Sequence, residues 1–211
     1  MPGRQTLKLL AVLSGVGVAA CSVVGIRETE EPAFTVVGHA GPAELRQYGP
    51  RVAAETTVAA DEIGARSAGF RRLAGYIFGG NTSKAHIAMT APVAQASETI
   101  AMTAPVATAK AADGAWVVRF FMPAGSTLDT LPTPNDPAVR LVPVPGETVA
   151  ALRFTGSTSP GAVREQQDAL LKALSGSGWT PTGTVTAWFY DPPWTLPFRR
   201  RNEAVVTVAK T

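Results

Sequence analysis

The sequence has 211 residues but only one cysteine and two histidines. A single thiol cannot close an intramolecular disulfide, so a disulfide-stapled scaffold is excluded. Two histidines and one cysteine are also too few for a zinc finger or a ferredoxin-type cluster. Charge is sparse: Asp, Glu, Lys and Arg make up 17% of the chain, and the only dense basic run is Arg199-Arg200-Arg201. Nucleic-acid binders cluster Lys and Arg along a face or stripe, so a formal charge of +3 does not point to a nucleic-acid partner. Catalytic signatures are missing too. There is no G-x-S-x-G elbow, no H-E-x-x-H, no P-loop and no G-x-G-x-x-G, and the chain is expected not to be an enzyme. What remains is a composition that is 45% hydrophobic, which suits one globular domain of roughly 100–200 residues with its own core.

Leu9 to Ala20 is an uncharged stretch of small and apolar residues. At 12 residues it is shorter than the roughly 20 that a membrane-crossing helix takes. Preceded by Arg4 and Lys8, it fits the apolar region of a secretory signal. It ends in Val18-Ala19-Ala20-Cys21, an aliphatic residue, two small ones and then the chain's one cysteine. This resembles a bacterial lipoprotein box. Residues 1–20 are therefore expected to be a signal peptide, and Cys21 the lipidated first residue of the mature chain. Residues 21–32 would form a tether and 33–211 the domain. The protein is expected to be exported and held on the cell membrane by its lipid, facing the periplasm or the cell exterior. Losing Arg4 and Lys8 with the signal reduces the balance from +3 to +1.

Along the domain, Phe34 to His39, Ala43 to Tyr48 and Val52 to Ala60 read as strands, with turns at Gly41-Pro42 and Gly49-Pro50. A helix is expected over Asp61 to Gly79, with Asp61 as N-cap and Ile63, Phe70, Leu73, Ala74 and Ile77 as its apolar stripe. An internal repeat follows: IAMTAPVA at Ile87 to Ala94 and again at Ile100 to Ala107. Two strand-like copies joined by Gln95 to Thr99 suggest a hairpin. Further strands are expected at Trp116 to Met122, Val139 to Val144, Glu147 to Phe154, Thr184 to Tyr190 and Ala204 to Ala209. Pro123 to Pro137 is a proline-rich loop, and Asp191 to Pro197 is a second, rigid one. Ser159-Pro160 opens a second helix, which Gly176 and Gly178 end. Two halves, each wrapping one helix, suggest a pseudo-symmetric α+β barrel.

Gly69-Phe70-Arg71-Arg72-Leu73, Tyr76-Ile77, Gly79, Lys84 and Ile87 to Val93 resemble the SOUL haem-binding protein family. Phe120 to Pro123, Leu131-Pro132 with Pro134 and Asp136, Phe154-Thr155-Gly156 and Pro197 to Glu203 agree in order and spacing, so the resemblance spans roughly Phe34 to Lys210. It implies a distorted antiparallel β-barrel of two similar halves flanked by two helices. It also implies non-covalent binding of haem or another tetrapyrrole in a shallow apolar cleft beside the first helix, near the loop before the last strand.

On this sequence that cleft draws on the helix face bearing Arg66, Arg71, Arg72, Gly75 and Phe78. Gly75 allows close approach, Phe78 offers stacking, and arginines form charge-assisted bonds to propionates. Tyr190 and Trp194 could cover the ring from the other side. The histidine candidates for an iron ligand are His39 and His86, and neither lies where the cleft would form. Met89 and Met102 recur at matching places in the repeat, a pattern that suits core packing. The other readings are a non-haem small-molecule binder on the same barrel and a cell-envelope interaction module. A binder of organic cations would want a carboxylate in its pocket, and the helix offers Glu62 only at its start.

Overall fold

The computed structural model describes residues 29–84, 97–192 and 194–211. In chain order the strands are β1 (Phe34–Ala40), β2 (Ala43–Tyr48), β3 (Arg51–Val58), β4 (Asn81–Thr82), β5 (Val106–Lys110) and β6 (Trp116–Phe121). They continue with β7 (Thr133–Pro134), β8 (Arg140–Val144), β9 (Glu147–Phe154), β10 (Trp179–Pro181), β11 (Thr186–Phe189) and β12 (Asn202–Lys210). Helix α1 (Glu62–Ile77) follows β3, α2 (Pro160–Leu174) follows β9, and a 3-10 turn (Pro197–Arg199) precedes β12. The fold class is α+β, with a mostly antiparallel sheet and two helices.

The main sheet has the order β1-β2-β9-β12-β11-β5-β6-β3-β8, with β10 added on β12. This order shows the two halves. Reading outward from the central β11–β5 pair, β12 mirrors β6, β9 mirrors β3, and β2 mirrors β8. The two long arms 43–58 and 140–154 run antiparallel in one unbroken register, Tyr48 opposite Glu147 and Arg51 opposite Val144. At the bend between them, Gly49-Pro50 faces Pro145-Gly146. Proline has no N–H to give to a ladder, so pairing stops there. The expected barrel is corrected on this point: the sheet curls but does not close, and β1 and β8 remain its edges.

Alternation along the strands divides the side chains between two faces. The inner face carries Tyr48, Ala53, Phe121, Val144, Val149, Ala151, Trp188, Tyr190 and Val205 as one apolar cluster. The outer face is covered by the helices. α1 packs on β3 and β6, with Leu73, Tyr76 and Ile77 meeting Val118, Phe120 and Met122. α2 packs on β9 and β12, with Leu170 and Leu174 meeting Ala150, Leu152 and Val206. Both helices begin at a side-chain cap: Asp61 accepts from the Gly64 N–H at 2.9 Å, and Ser159 from the Ala162 N–H at 3.4 Å with Pro160 in the first turn. Each cap satisfies an otherwise orphaned helix donor.

Two further expectations need revision. The buried stripe of α1 is Ala65, Gly69, Leu73, Tyr76 and Ile77, while Ile63 faces outward and Phe70 lies at the boundary, 38% exposed with its ring edge-on to Phe120 at 5.4 Å. The reason is close approach: a Cβ on Gly69 would lie 2.5 Å from Val118 Cγ2, so the helix docks through its smallest residue and rolls the large ones out. The second copy of the repeat is not a strand until Val106, because Pro105 cannot donate to the ladder; instead the Ile100 N–H bonds the Ile77 carbonyl at 2.8 Å. The first copy, with the hairpin expected of it, falls within 85–96 and lies outside the described residues. β10 and the short β4–β7 ribbon were not expected at all.

Candidate functional site

α1 presents one face to solvent along its whole length. Ile63, Ser67, Phe70, Arg71, Gly75 and Phe78 are exposed, at the three- and four-residue spacings that put side chains on one side of a helix. Ile63 is 51% exposed and Phe78 60%. From Phe70 to Phe78 this row runs about 12 Å along the axis. Among the described residues nothing lies within 4 Å of a Cβ built on Gly75, so they leave room on the face at that point. Arg66 lies on the flank. Its guanidinium donates to the Thr158 carbonyl at 3.2 Å and stacks 4.6 Å from the Phe189 ring. Burial lowers its pKa, Glu62 offsets part of this, and the charge of Arg200 lowers it further.

The expected site residues divide between two places. Arg71, Gly75 and Phe78 do share the open face. Arg72 does not: its Nη1 donates to Thr56 Oγ1 at 2.8 Å and its Nε lies 3.4 Å from Asp136 Oδ2, so it holds α1 to β3 and to the proline-rich loop. Tyr190 is also turned away. It is buried on the inner face, on the opposite side of the sheet from α1, and its hydroxyl donates to Glu203 Oε2 at 2.7 Å. It therefore cannot cover a ring lying on the helix. Trp194 is exposed in the loop before β12. His39 is exposed on edge strand β1, opposite Glu44, in the half covered by α2. His86, Met89 and Cys21 lie outside the described residues, and Met102 packs against the core under α1.

The inner face holds groups that the sequence reading did not single out. Glu203 is fully buried and accepts from Arg46 at 2.7 and 3.1 Å, from Arg201 at 3.0 and 3.1 Å, and from Tyr190. Burial pushes its carboxyl up, but the hydrogen bonds and charge of Arg46, then Arg201, then Tyr190 outweigh it and hold the pKa below the ordinary value. Burial first, and the Glu203 charge second, push the Tyr190 hydroxyl up. Across the face, Glu55 binds Arg119 at 2.6 Å and Arg140 at 3.0 Å. Arg51, sandwiched 4.2 Å from the Tyr48 ring and 4.5 Å from Phe121, binds Glu147 at 2.6 Å. Between these pairs lies a groove of about 270 Å³ lined by Glu55, Glu147, Phe121, Trp188 and several threonines. Charges two apart within β2, at 44 and 46, and four apart within β3, at 51 and 55, were the available signal for this face.

A family profile described as SOUL heme-binding protein matches residues 29–207. The chain belongs to the SOUL heme-binding family. Among solved structures it is similar to EcmrR in a cryo-EM structure of an EcmrR–DNA complex, with a TM-score of 0.54 and 13% identity. That match covers 80% of this chain and 57% of the EcmrR chain, so the present chain spans little more than half of that protein. The crystal structure of the EcmrR C-terminal domain gives a TM-score of 0.53 at 12% identity and covers 80% of this chain and 98% of that domain. At such identities the likeness concerns the fold alone. A search of curated proteins finds no match.

The described residues can be tested against the haem that the SOUL family name implies. Haem iron takes His, Met, Cys or Tyr. His39 is on the wrong half. Met122 and the three tyrosines are buried in the core, and Met102 packs against it. The inner groove, at about 270 Å³, falls below the roughly 300–1,000 Å³ of ordinary organic-ligand sites and is too small for a tetrapyrrole. The α1 face fits better. Phe70 and Phe78 suit the flat apolar ring, Gly75 leaves room for it, and Arg71 suits a propionate. The described part of that face supplies no iron ligand, so it fits the macrocycle and its acids but not axial coordination.

Proposed function

We propose that the protein binds haem or a related tetrapyrrole, non-covalently, on the solvent face of α1, and that it is a binding protein rather than an enzyme. The observation that carries this reading is the open apolar row of Phe70, Gly75 and Phe78 flanked by Arg71, in a chain of the SOUL family. Ring stacking and burial supply the affinity, and Arg71 orients the propionates. By this reading the ligand is taken up, buffered or passed on outside the cytoplasm, by a protein held to the membrane through Cys21.

Haemin titration of the mature chain tests the site. A saturable Soret shift at micromolar haemin is expected, weakened at least tenfold in Phe70→Ser/Phe78→Ser. No saturable shift would overturn the reading. The spectrum of His39→Ala should be unchanged, and that of His86→Ala decides ligation by the one histidine outside the described residues. For the anchor, the full chain carrying Cys21→Ala should leave the membrane fraction.

A second reading has its own observation. Glu55 and Glu147 are already matched by Arg119, Arg140 and Arg51, so the groove beside Phe121 and Trp188 suits a small uncharged organic ligand with hydrogen-bonding groups for its threonines. Such a ligand would bind in the inner groove without competing with haemin.

A further inference from the structure

The loop between β11 and β12 sends its large apolar side chains outward. Trp194 is 61% exposed, Leu196 41% and Phe198 68%. Thr195, small and polar, is buried between them. This reverses the usual order, and hydrogen bonds within the loop and to its neighbours hold it in place. The Thr195 N–H bonds the Pro192 carbonyl at 3.0 Å, and the Arg199 N–H bonds Leu196 at 2.8 Å. Arg200 Nε donates to the Thr195 carbonyl at 2.8 Å, and the Gly156 N–H ties the Pro197 carbonyl to the end of β9 at 2.9 Å. An alternating Trp-x-Leu-x-Phe edge held out in this way contributes little to the fold's own core, and its exposure points to a partner.

The path of the N-terminal segment identifies that partner. Glu31 accepts twice from Arg201 Nη1, at 2.9 and 3.0 Å, and Glu30 Oε1 accepts from the Ala124 N–H at 2.7 Å. The tether therefore meets the domain at the residue where this loop ends. Glu30 is nine residue steps from Cys21. At 3.3–3.6 Å each, they reach at most about 30 Å.

We propose that the 194–198 loop is a membrane-docking element. Trp194, Leu196 and Phe198 enter the headgroup region of the phospholipid bilayer that carries the lipid of Cys21. Trp and other amphipathic rings favour that depth. The acyl chains already hold the protein to the membrane, so the loop sets orientation: it turns the domain so that this end meets the lipid. Arg66 donates to the Thr158 carbonyl at 3.2 Å, and Gly156, two residues before Thr158, bonds Pro197 of the loop at 2.9 Å, which puts the N-terminal part of α1 near the docking loop. A tetrapyrrole dissolved in the bilayer would then meet the α1 face without crossing bulk water. The location of the loop rests on the anchor proposed above, but its affinity for lipid does not.

The test uses the mature chain from residue 21 with Cys21→Ser, so that no acyl chain is attached, and vesicles of phosphatidylcholine and phosphatidylglycerol at 3:1. Co-sedimentation is expected, together with tryptophan quenching by brominated lipid. Trp194→Ser/Leu196→Ser/Phe198→Ser should lower partitioning at least tenfold, and its urea midpoint reports whether the fold survives. Trp194→Phe should keep most of the binding and lose most of the quenching. Leu171→Ser on α2 should change neither. Absent binding by the parent chain, or equal binding by the triple variant, would overturn the proposal. Fractionation of the full chain with Cys21→Ala tests the anchor separately, so either idea can fail alone.

Discussion

α1 and α2 occupy matching places, α1 over β3 and β6 and α2 over β9 and β12. Each starts at a side-chain cap and buries a narrow stripe. Their solvent faces differ. α2 shows water Arg164, Glu165, Asp168 and Lys172, with Leu171 its one exposed large apolar residue. α1 shows Ile63, Phe70 and Phe78 around Gly75. The architecture asks the same of both helices, and α2 meets the demand with an ordinary polar exterior. Phe70 also braces the buried Phe120 ring, but Ile63 and Phe78 lie more than half exposed, and this excess of apolar surface over α2 is what the proposed ligand face rests on.

Substitutions can break this comparison. The largest effect on stability is expected from Leu170→Ala, which empties a fully buried position under α2. It should cost about 2–5 kcal/mol by urea unfolding, while the folded fraction keeps its haemin affinity. Gly69→Ala attacks the same layer under α1. The new methyl would press on Val118, lifting the helix at a cost of about 1–3 kcal/mol; here haemin affinity should fall together with stability. If Leu170→Ala weakened haemin binding as much as Gly69→Ala does, the division of labour between the helices would be lost.

Phe78→Ser should move stability by about 1 kcal/mol or less, and Phe70→Ser by about 1–3 kcal/mol because its ring packs on Phe120; the double variant should raise the haemin Kd of the folded fraction at least tenfold. Leu171→Ser, its counterpart on α2, should leave haemin binding as it was. The smallest effect expected is one of pH. Tyr76 of α1 donates to the Pro132 carbonyl at 2.9 Å, and burial first, then the Glu98 charge, push its hydroxyl up to about 12. Its folded pKa is raised, so its contribution is complete below pH 10 and is lost as pH rises from 10 through about 12. Tyr76→Phe should flatten that alkaline arm. On the acid side, the depressed Glu203 carboxyl belongs to the other half, and Glu203→Gln should remove stability present above its unfolded pKa that the parent chain loses as pH falls through the folded one.

Much of the fold was legible in the sequence. Capping residues, Gly and Pro punctuation and β-branched runs act within a few residues, so both helices and most strands of the main sheet fell where expected. β10 escaped because Trp179-Thr180-Pro181 is three residues long and carries a proline. The site was legible in part. Arg71, Gly75 and Phe78 share a face because helical spacing makes them do so. Arg72, one residue on, turns toward Thr56 and Asp136. Tyr190 sits where the β11 alternation meets Glu203, and adjacency to Trp194 could not reveal that.

The sequence by itself determined both helices with their caps, most strands of the main sheet, the duplicated segment and the family, because each rests on local chemistry or on ordered motifs. Tertiary structure alone decided which stripe of α1 is buried, since period 3.6 gives the spacing of a face but not its choice. That choice fell to Gly69, whose missing side chain lets the helix sit on Val118. It also decided that the sheet stays open, with β1 and β8 as its edges, and that Arg46 meets Glu203, 157 residues away. A buried carboxylate is stable only with its cations in place, and only the folded chain brings them together.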